Sequence, residues 1–395
     1  MARERDLTAI FFAESDPRSK GWYVQTYESL WDTLIWQSLP DRPIDETCPW
    51  FCRACSALCG TAGTVLRRLW LRSGRTSRTS GASPPSAVVD AAWTAYRRPV
   101  ADLSRHYAGL HRSSFLVMAA FGVVAVLCAL TIPALDVKDD PHGFSRWQWG
   151  LVFAEALLIL GMMLIYWLHH HYRWQERAID YRLIAERLRH AAALAHLGRS
   201  PTPFRGAPPQ WLALDPRHSW AERYAKNVIR TIGLAPLAPR RLLDQDYLRA
   251  CREYLAREWI EEQIRYHERN SARAEALHLD LELLAIAALG ATLLACLAHV
   301  VAHLPWLYIP AGVLPAFGAA CHAVSGQADL QRIAVRSKAM AEKLKDFRDR
   351  LLALPANGAF PTALARITEE AADSMLAEAG EWRVLFQTHP LPPPL

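Results

Sequence analysis

The chain has 395 residues, of which 51% are hydrophobic, and its formal net charge is +6 at pH 7. This charge is too small to indicate nucleic-acid binding, so none is expected, but it suits a membrane surface or another anionic partner. The hydrophobic residues are gathered into runs among arginine-rich segments, which excludes one large globular core and is typical of a membrane protein with soluble parts.

Residues 1–72 form a predicted cytosolic region that is helical and rich in aromatic residues and cysteine. Four cysteines recur on one face of a predicted helix: Cys48, Cys52, Cys55 and Cys59. A straight helix would spread their thiolates along about 16 Å, which is too far for one zinc ion. We therefore predict no metal site, and the face is apolar or lies at the membrane surface. A zinc site is the alternative.

Residues 73–89, rich in Gly, Ser and Pro, are predicted to be a flexible linker. A first helical hairpin follows at residues 90–198, with two apolar runs joined by a short polar link. Phe115–Leu135 has no charged residue, and Trp147–Leu168 has only Glu155. At 1.5 Å per residue, each run is long enough to cross the roughly 30 Å hydrocarbon core of a bilayer.

The second half repeats this order. A proline-rich cytosolic connector at 199–239 leads to a second hairpin at 240–354, whose uncharged runs lie at 283–304 and 305–326. A C-terminal helix and a proline-rich tail occupy 355–395. We therefore predict an all-α integral membrane protein with two tandem hairpins, hence four spans, and long cytosolic helical extensions. The alternative is a soluble α-protein, whose helices would normally carry charges on a solvated face.

The charges flanking the spans predict their orientation. Arginine-rich segments precede and follow both hairpins, whereas the link at 136–146 carries three aspartates against one lysine and one arginine. By the positive-inside rule, the arginine-rich segments are cytoplasmic and the link lies outside. Both termini and the connector are then cytoplasmic.

Two short segments indicate an internal duplication. Residues 185–189 read AERLR and residues 341–345 read AEKLK, and the same offset carries Gln175 onto Gln331. Each half then has a basic lead-in helix, a membrane hairpin and a basic exit helix. We predict that each exit helix continues its span without a break, with 172–197 as one helix.

Polar residues in the spans are few. A carboxylate in a bilayer costs about a few kcal/mol, so Glu155 should face a bundle interior or water. Our candidate set for a pore or polar interface adds His299 and His322. For Glu155 the alternative is a position near the headgroups without a role, and for the histidines it is packing at the membrane surface.

The fourth span carries residues that favour a kink. Two prolines and two glycines predict it: Pro310, Gly312, Pro315 and Gly318. Such a kink would act as a gate beside a pore, or would only adjust packing. Because four helices with so few polar residues cannot enclose a water path, a pore requires a homo-oligomer, for which we take a tetramer as the working assumption.

No enzyme is predicted. The chain contains no P-loop, no dinucleotide-binding fingerprint after a strand, no nucleophile elbow and no zinc-protease motif. We expect no catalytic residues and no cofactor.

Four segments resemble the SLATT domains, which are two-transmembrane effector domains that accompany SMODS and SLOG modules in bacterial conflict systems. They read RHYAGLHRSSFLVM before the first span, RWQERAIDYRLIAERLRHA after the second, SWAERYAKNVIRTIGL in the connector and REWIEEQIRYHERN before the third. The strongest similarity falls on one exit helix, at Trp174, Asp180, Tyr181, Arg182, Ala185, Glu186 and Arg189. The resemblance covers about residues 90 to 354.

The resemblance implies a membrane effector in anti-phage defence. It would sit in the inner membrane and form a pore or disrupt the bilayer when a nucleotide signal arrives. The exit helix would be an assembly or signal helix. No SLOG domain is evident, so a separate sensor protein is one expected partner, besides lipid and further copies of the chain. The rival interpretations are a membrane-anchored scaffold or sensor without a pore and, less favoured, a transporter.

Overall fold

The structure is a computed structural model that describes residues 11, 87–134, 146–200, 219–233, 244–355 and 360–388. Within these ranges the regular structure is entirely helical, which confirms the predicted all-α class. The Cys48–Cys59 cluster lies outside the described residues, as do most of the connector and the proline-rich tail, so the predictions for them stay predictions.

The described part of the first half forms four helices: α1 (Ala87–Ala134), α2 (Arg146–His171), α3 (Trp174–Ala195) and α4 (Trp220–Ile232). Helix α1 begins inside the predicted linker, and Val89 and Trp93 in its first turns are buried. Helix α4 begins directly after Ser219, whose side chain accepts a hydrogen bond from the Glu222 backbone amide at 3.2 Å.

The second half begins with a nearly continuous helix that includes one π-helical segment. Its order is α5 (Gln245–Tyr254), the π-helical segment (Leu255–Ile260), α6 (Glu261–Ala302), a 3₁₀ turn (Pro305–Leu307), α7 (Tyr308–Gln327), α8 (Leu330–Leu352) and α9 (Phe360–Thr388). The predicted lead-in helix of the second half is thus present as α5, the π-helical segment and the first part of α6. The Asp244 side chain caps it by accepting from the Asp246 amide at 3.0 Å.

Four helices are long and apolar enough to cross a membrane, and their apolar stretches lie in α1, α2, α6 and α7. Helix α1 packs against α2 on one side and α7 on the other, and α7 packs against α6. The spans therefore form an open row in the order α2, α1, α7, α6. Large apolar side chains of the two outer helices face outward, as expected for lipid-facing surfaces.

The remaining helices form a second region, which we call the head: α3, α4, α5, α8 and α9 with the polar parts of α1 and α6. Two hydrophobic clusters hold it together. One unites α1, α3 and α4 around Tyr181 and Trp220. The other unites α5, the π-helical segment, α6, α8 and α9 around Leu255, Leu344 and Phe360. Helix α9 packs on both α8 and α3, so it joins the two halves.

The prediction that the exit helices continue their spans without a break is wrong. Arg173 separates α2 from α3 with φ 51°, and Asp329 separates α7 from α8 with φ 55°. A left-handed residue redirects the chain and interrupts the helical hydrogen-bond ladder. Each exit helix is therefore a separate rod that begins just beyond the break.

Candidate functional site in the spans and the head

Glu155 lies on the face of α2 that packs toward α1. The buried residues of α2 are Gln148, Met162, Ile165 and His169, and Glu155 is one seven-residue step from two of them. Two helical turns cover seven residues, so these side chains share one face. Glu155 itself is partly buried. The carboxylate therefore does not point straight into lipid.

The level of Glu155 along the row follows from two contacts between α1 and α2. His111 Nδ1 lies 2.8 Å from His169 Nε2, and a β-carbon built at Gly161 would lie 3.0 Å from the Phe121 ring. In this antiparallel register, Glu155 lies near the level of Cys128 on α1. Glu155 is the one charged residue of the run Trp147–Leu168.

The structure does not bring the three predicted polar residues together. His299 lies in the last turn of α6, where its Nδ1 is 3.1 Å from the Leu304 carbonyl oxygen and its ring centroid is 4.4 Å from that of Tyr308. His322 is exposed near the head end of α7. Glu155 is on α2, so these residues do not form one constellation within a single chain.

The prolines and glycines of α7, which the sequence marks as a possible kink, lie in different environments. Pro310 lies in the first turn, where a missing amide costs little, and Pro315 is inside the helix. A β-carbon at Gly312 would overlap the Leu130 side chain of α1, and one at Gly318 would lie 3.4 Å from the Ala285 carbonyl oxygen of α6. Both glycines permit close helix packing, and the gate stays a prediction.

Helix α3 carries the residues of the predicted signal helix, and it lies in the interior of the head. Asp180 and Tyr181 are each 1% exposed, and Trp174 is buried as well. Asp180 Oδ2 accepts a hydrogen bond of 2.6 Å from Trp220 Nε1 of α4. The Phe11 ring packs on Tyr181, with ring centroids 5.3 Å apart. These residues fasten α4 to α3.

A buried ion pair that no sequence pattern predicts lies beside them. Arg187 Nη2 is 3.0 Å from Glu222 Oε1, with the side chains 2% and 1% exposed. Lys226 approaches the same carboxylate oxygen at 3.7 Å from the solvent side. The S-x-x-E pattern at Ser219 marks Glu222 as a capping residue, but nothing in the sequence indicates its partner.

The other predicted residues of α3 face the second half of the chain. Glu186 pairs with Arg189, whose Nη2 lies 3.9 Å from the Met375 sulfur of α9. The Tyr266 hydroxyl of α6, followed by Glu186 and Glu378, raises the pKa of Arg182. The predicted charged residues are therefore part of the junction between the two halves of the head.

Two buried histidines belong to this junction and were missed by sequence reasoning. His267 Nε2 lies 3.7 Å from Glu378 Oε2, and its burial, followed by the charges of Arg182 and Arg189, lowers its pKa to about 4. His190 is fully buried with its ring 5.7 Å from that of Trp259, and burial lowers its pKa well below the ordinary value. Both imidazoles are neutral at pH 7.

Similar contacts mark the boundary between spans and head in both halves. In the first half it is the His111–His169 contact, and the Trp174 ring packs edge-on to His169 at 5.8 Å. In the second half, His278 Nδ1 lies 2.9 Å from Ser325 Oγ. Each contact ties a lead-in helix, α1 or α6, to the end of the span that returns to the head.

A comparison with protein-family models, curated proteins and solved structures finds no match to this chain.

Proposed function

We propose that this protein is a membrane effector that assembles into a homo-oligomer and conducts ions across the bacterial inner membrane. The resemblance to SLATT domains supports a place in anti-phage defence, with a nucleotide signal or a separate sensor protein as the trigger. In this proposal, two tandem hairpins would leave the head and both termini in the cytoplasm, the side that the arginine-rich flanks favour. Four copies are the working number.

The observation that carries this proposal is the position of Glu155. A carboxylate within an apolar span is expensive to keep unless it serves a polar surface. It lies on the α1-facing side of α2, at one end of the open row, and it is the one charged residue of its apolar run. An assembly of several copies would gather several such carboxylates, and a ring of them favours cations.

The head is where a trigger would act. Its interior holds the polar residues of α3, and α9 joins the two halves there. The left-handed residues Arg173 and Asp329 are the joints between this region and the spans. A ligand or partner could change the packing of α3 against α9. This movement would then be transmitted to α2 and α7 through these joints.

The experiment is a flux assay on the full chain in liposomes of phosphatidylethanolamine and phosphatidylglycerol under a potassium gradient. Cyclic dinucleotides and trinucleotides serve as probes of the trigger. Glu155→Gln should lower cation flux and cation selectivity. Glu282→Gln is the matched control, because that carboxylate on α6 is 55% exposed just before its apolar run. Wild-type flux and selectivity in Glu155→Gln would contradict the proposal.

A membrane-anchored scaffold is the second candidate, and one observation favours it. The hydroxyls of Thr131 and Thr292 in the spans donate to carbonyl oxygens of their own helices, Leu127 at 2.7 Å and Ala288 at 2.8 Å. They are thus less available to line a water path. This candidate predicts that the head binds a partner protein and that no flux appears with any nucleotide probe.

A further inference from the structure

The head contains the same serine contact twice. In the first half, Ser104 Oγ of α1 donates to the Ala178 carbonyl oxygen of α3 at 3.0 Å. In the second half, Ser271 Oγ of α6 donates to the Ala334 carbonyl oxygen of α8 at 2.8 Å. The two contacts therefore match in donor, acceptor and the kind of helix that supplies each.

The lead-in helices keep one spacing between equivalent residues. His111 of α1 and His278 of α6 both bind the returning span of their own half. They are separated by as many residues as the two serines are. Helix α1 therefore corresponds to α6 in a constant register.

The returning helices keep a second spacing. His169 and Ser325, the partners of those two histidines, are separated by as many residues as the two alanines are. The left-handed breaks at Arg173 and Asp329 have the same separation, and so do the AERLR and AEKLK segments. Helix α2 therefore corresponds to α7, and α3 to α8.

The two halves meet in the membrane through α1 and α7. Leu130 of α1 fills the space beside Gly312 of α7. Nearer the head, Phe115 of α1 and Val324 of α7 form a small buried cluster. This is a contact between a lead-in helix of one half and a returning helix of the other.

The corresponding contact would join α6 to α2, and a single chain does not make it. Among the described helices, α2 and α6 share no packed interface, since they lie at opposite ends of the row. A two-fold relation between the halves would create both contacts at once. The halves are therefore related head to tail, and such an interface forms a ring when its rotation closes.

The two spacings specify which residues would meet. Leu130 corresponds to Leu297 on α6, which is 55% exposed, and Gly312 corresponds to Ala156 on α2, which is also exposed. Leu297 lies on the side of α6 opposite Ala288 and Ala295, the buried residues that face α7. The pairing of Leu297 with Ala156 thus places a leucine against a small residue, as Leu130 and Gly312 do. It adds the second copy beyond α6, so the row of helices continues in the same direction.

The head gives independent support. Helix α3 has 16 buried residues among 22, whereas its counterpart α8 has 7 among 23. The second half covers the outer face of α3 within the chain. The corresponding face of α8 is open, and Val335 on it is 65% exposed. A further copy attached through α6 would cover α8 as the second half covers α3.

From these observations we infer that α6 of one copy packs against α2 of a second copy, with Leu297 on Ala156, and that this head-to-tail contact builds the ring. The inference rests on the proposed function and deepens it, since it defines the interface of the oligomer that the proposal requires. It also places the Glu155 helix at every junction between copies.

Disulfide cross-linking in membranes tests the interface. The background replaces the exposed Cys296 and the four N-terminal cysteines by serine, leaving the buried Cys128, Cys251 and Cys321. Ala156→Cys with Leu297→Cys should give a ladder of cross-linked multimers under copper phenanthroline. Mixed chains that each carry one of the two cysteines should give dimers only. Each single variant alone should stay monomeric on a denaturing gel.

The matched control replaces Leu297→Cys by Ala298→Cys, one residue along and about 100° round the same helix. It should cross-link severalfold less with Ala156→Cys. Cross-linking of Ala156→Cys alone would show a symmetric α2–α2 contact and overturn the inference, as would equal ladders in pair and control. Ala156→Leu, on an exposed site, should lower the oligomer mass in detergent without unfolding the chain; an unchanged mass would also overturn the inference.

These outcomes are separable from the flux assay. A ladder without any ion flux would support the interface and count against the pore. Flux from a protein that shows no ladder would support the pore and overturn this interface.

Discussion

Arg187 of α3 and Glu222 of α4 form an ion pair of 3.0 Å from which water is almost entirely excluded, since their side chains are 2% and 1% exposed. Removing one partner leaves a buried charge, which typically costs about 3–5 kcal/mol. We expect Arg187→Met to lower the free energy of unfolding by about that amount, measured by urea denaturation in detergent. The double variant Arg187→Met, Glu222→Leu should recover most of the loss.

Lys226 provides the control for this ion pair. It approaches Glu222 at 3.7 Å but is 39% exposed, so its contribution is screened by water. Lys226→Met should change the free energy of unfolding by less than about 1 kcal/mol. Equal losses in Arg187→Met and Lys226→Met would contradict the distinction.

The hydrogen bond from Trp220 to Asp180 gives a second prediction. At 2.6 Å, between a buried indole and a carboxylate that is 1% exposed, it is a short charge-assisted bond. Trp220→Phe removes this donor and should cost about 2–3 kcal/mol, because the carboxylate loses a charge-assisted bond without losing its burial. Thermal unfolding in detergent measures the loss. Asp180→Asn should cost less, and a Trp220→Phe variant as stable as the wild type would disprove this account.

The close contact of α7 with α1 predicts a steric effect. Gly312→Ala would place a methyl group on the Leu130 side chain, and overpacking of this kind costs about 1–3 kcal/mol. Gly122→Ala, where the added carbon meets open space, should be neutral or stabilising because alanine favours helix. Leu130→Ala should rescue Gly312→Ala. Melting temperatures in detergent that do not separate the two glycine variants would refute the contact.

The buried His267 predicts a dependence of stability on pH. Its pKa is lowered to about 4 in the folded head, whereas an unfolded histidine titrates near 6.5. Below pH 6.5 the imidazole of His267 binds a proton in the unfolded chain but stays neutral in the folded head. The free energy of unfolding therefore falls as the pH drops from about 6.5 to 4. The loss is about 2 kcal/mol at pH 5.

The measurement compares urea denaturation of the wild type and His267→Gln between pH 7.5 and 5. The variant should lose less stability over this interval than the wild type. Identical slopes for the two proteins would mean that His267 is not the group that titrates.

The apolar runs could be predicted because a segment that crosses a bilayer must be long and apolar, and this is visible in the composition. An uncharged run such as Phe115–Leu135 can be recognised as apolar enough for a bilayer from its own residues, without knowing which helices pack beside it. The start of α4 also carries a local signal in the sequence, since Ser219 and Glu222 form a capping pattern. The correspondence of α3 with α8 was visible in the short AERLR and AEKLK segments.

Features that depend on tertiary packing were not readable. Arg173 and Asp329 adopt left-handed φ values that usually belong to glycine, so the sequence carried no signal for the breaks. The glycines of α7 suggested a kink, but which neighbour approaches Gly312 depends on the order of helices in the row. The contacts of the charged residues of α3 were not readable either, because many of their partners lie far away in sequence, on α4, α6 and α9.

The shortness of the two links between paired spans has a consequence for biosynthesis. Helix α1 ends at Ala134 and α2 begins at Arg146, while α6 ends at Ala302 and α7 begins at Tyr308. If each pair enters the bilayer together, only these short connections need to be translocated, and the large charged segments stay on the ribosome's side. The energetic cost of insertion then falls on a few polar groups instead of on a folded domain.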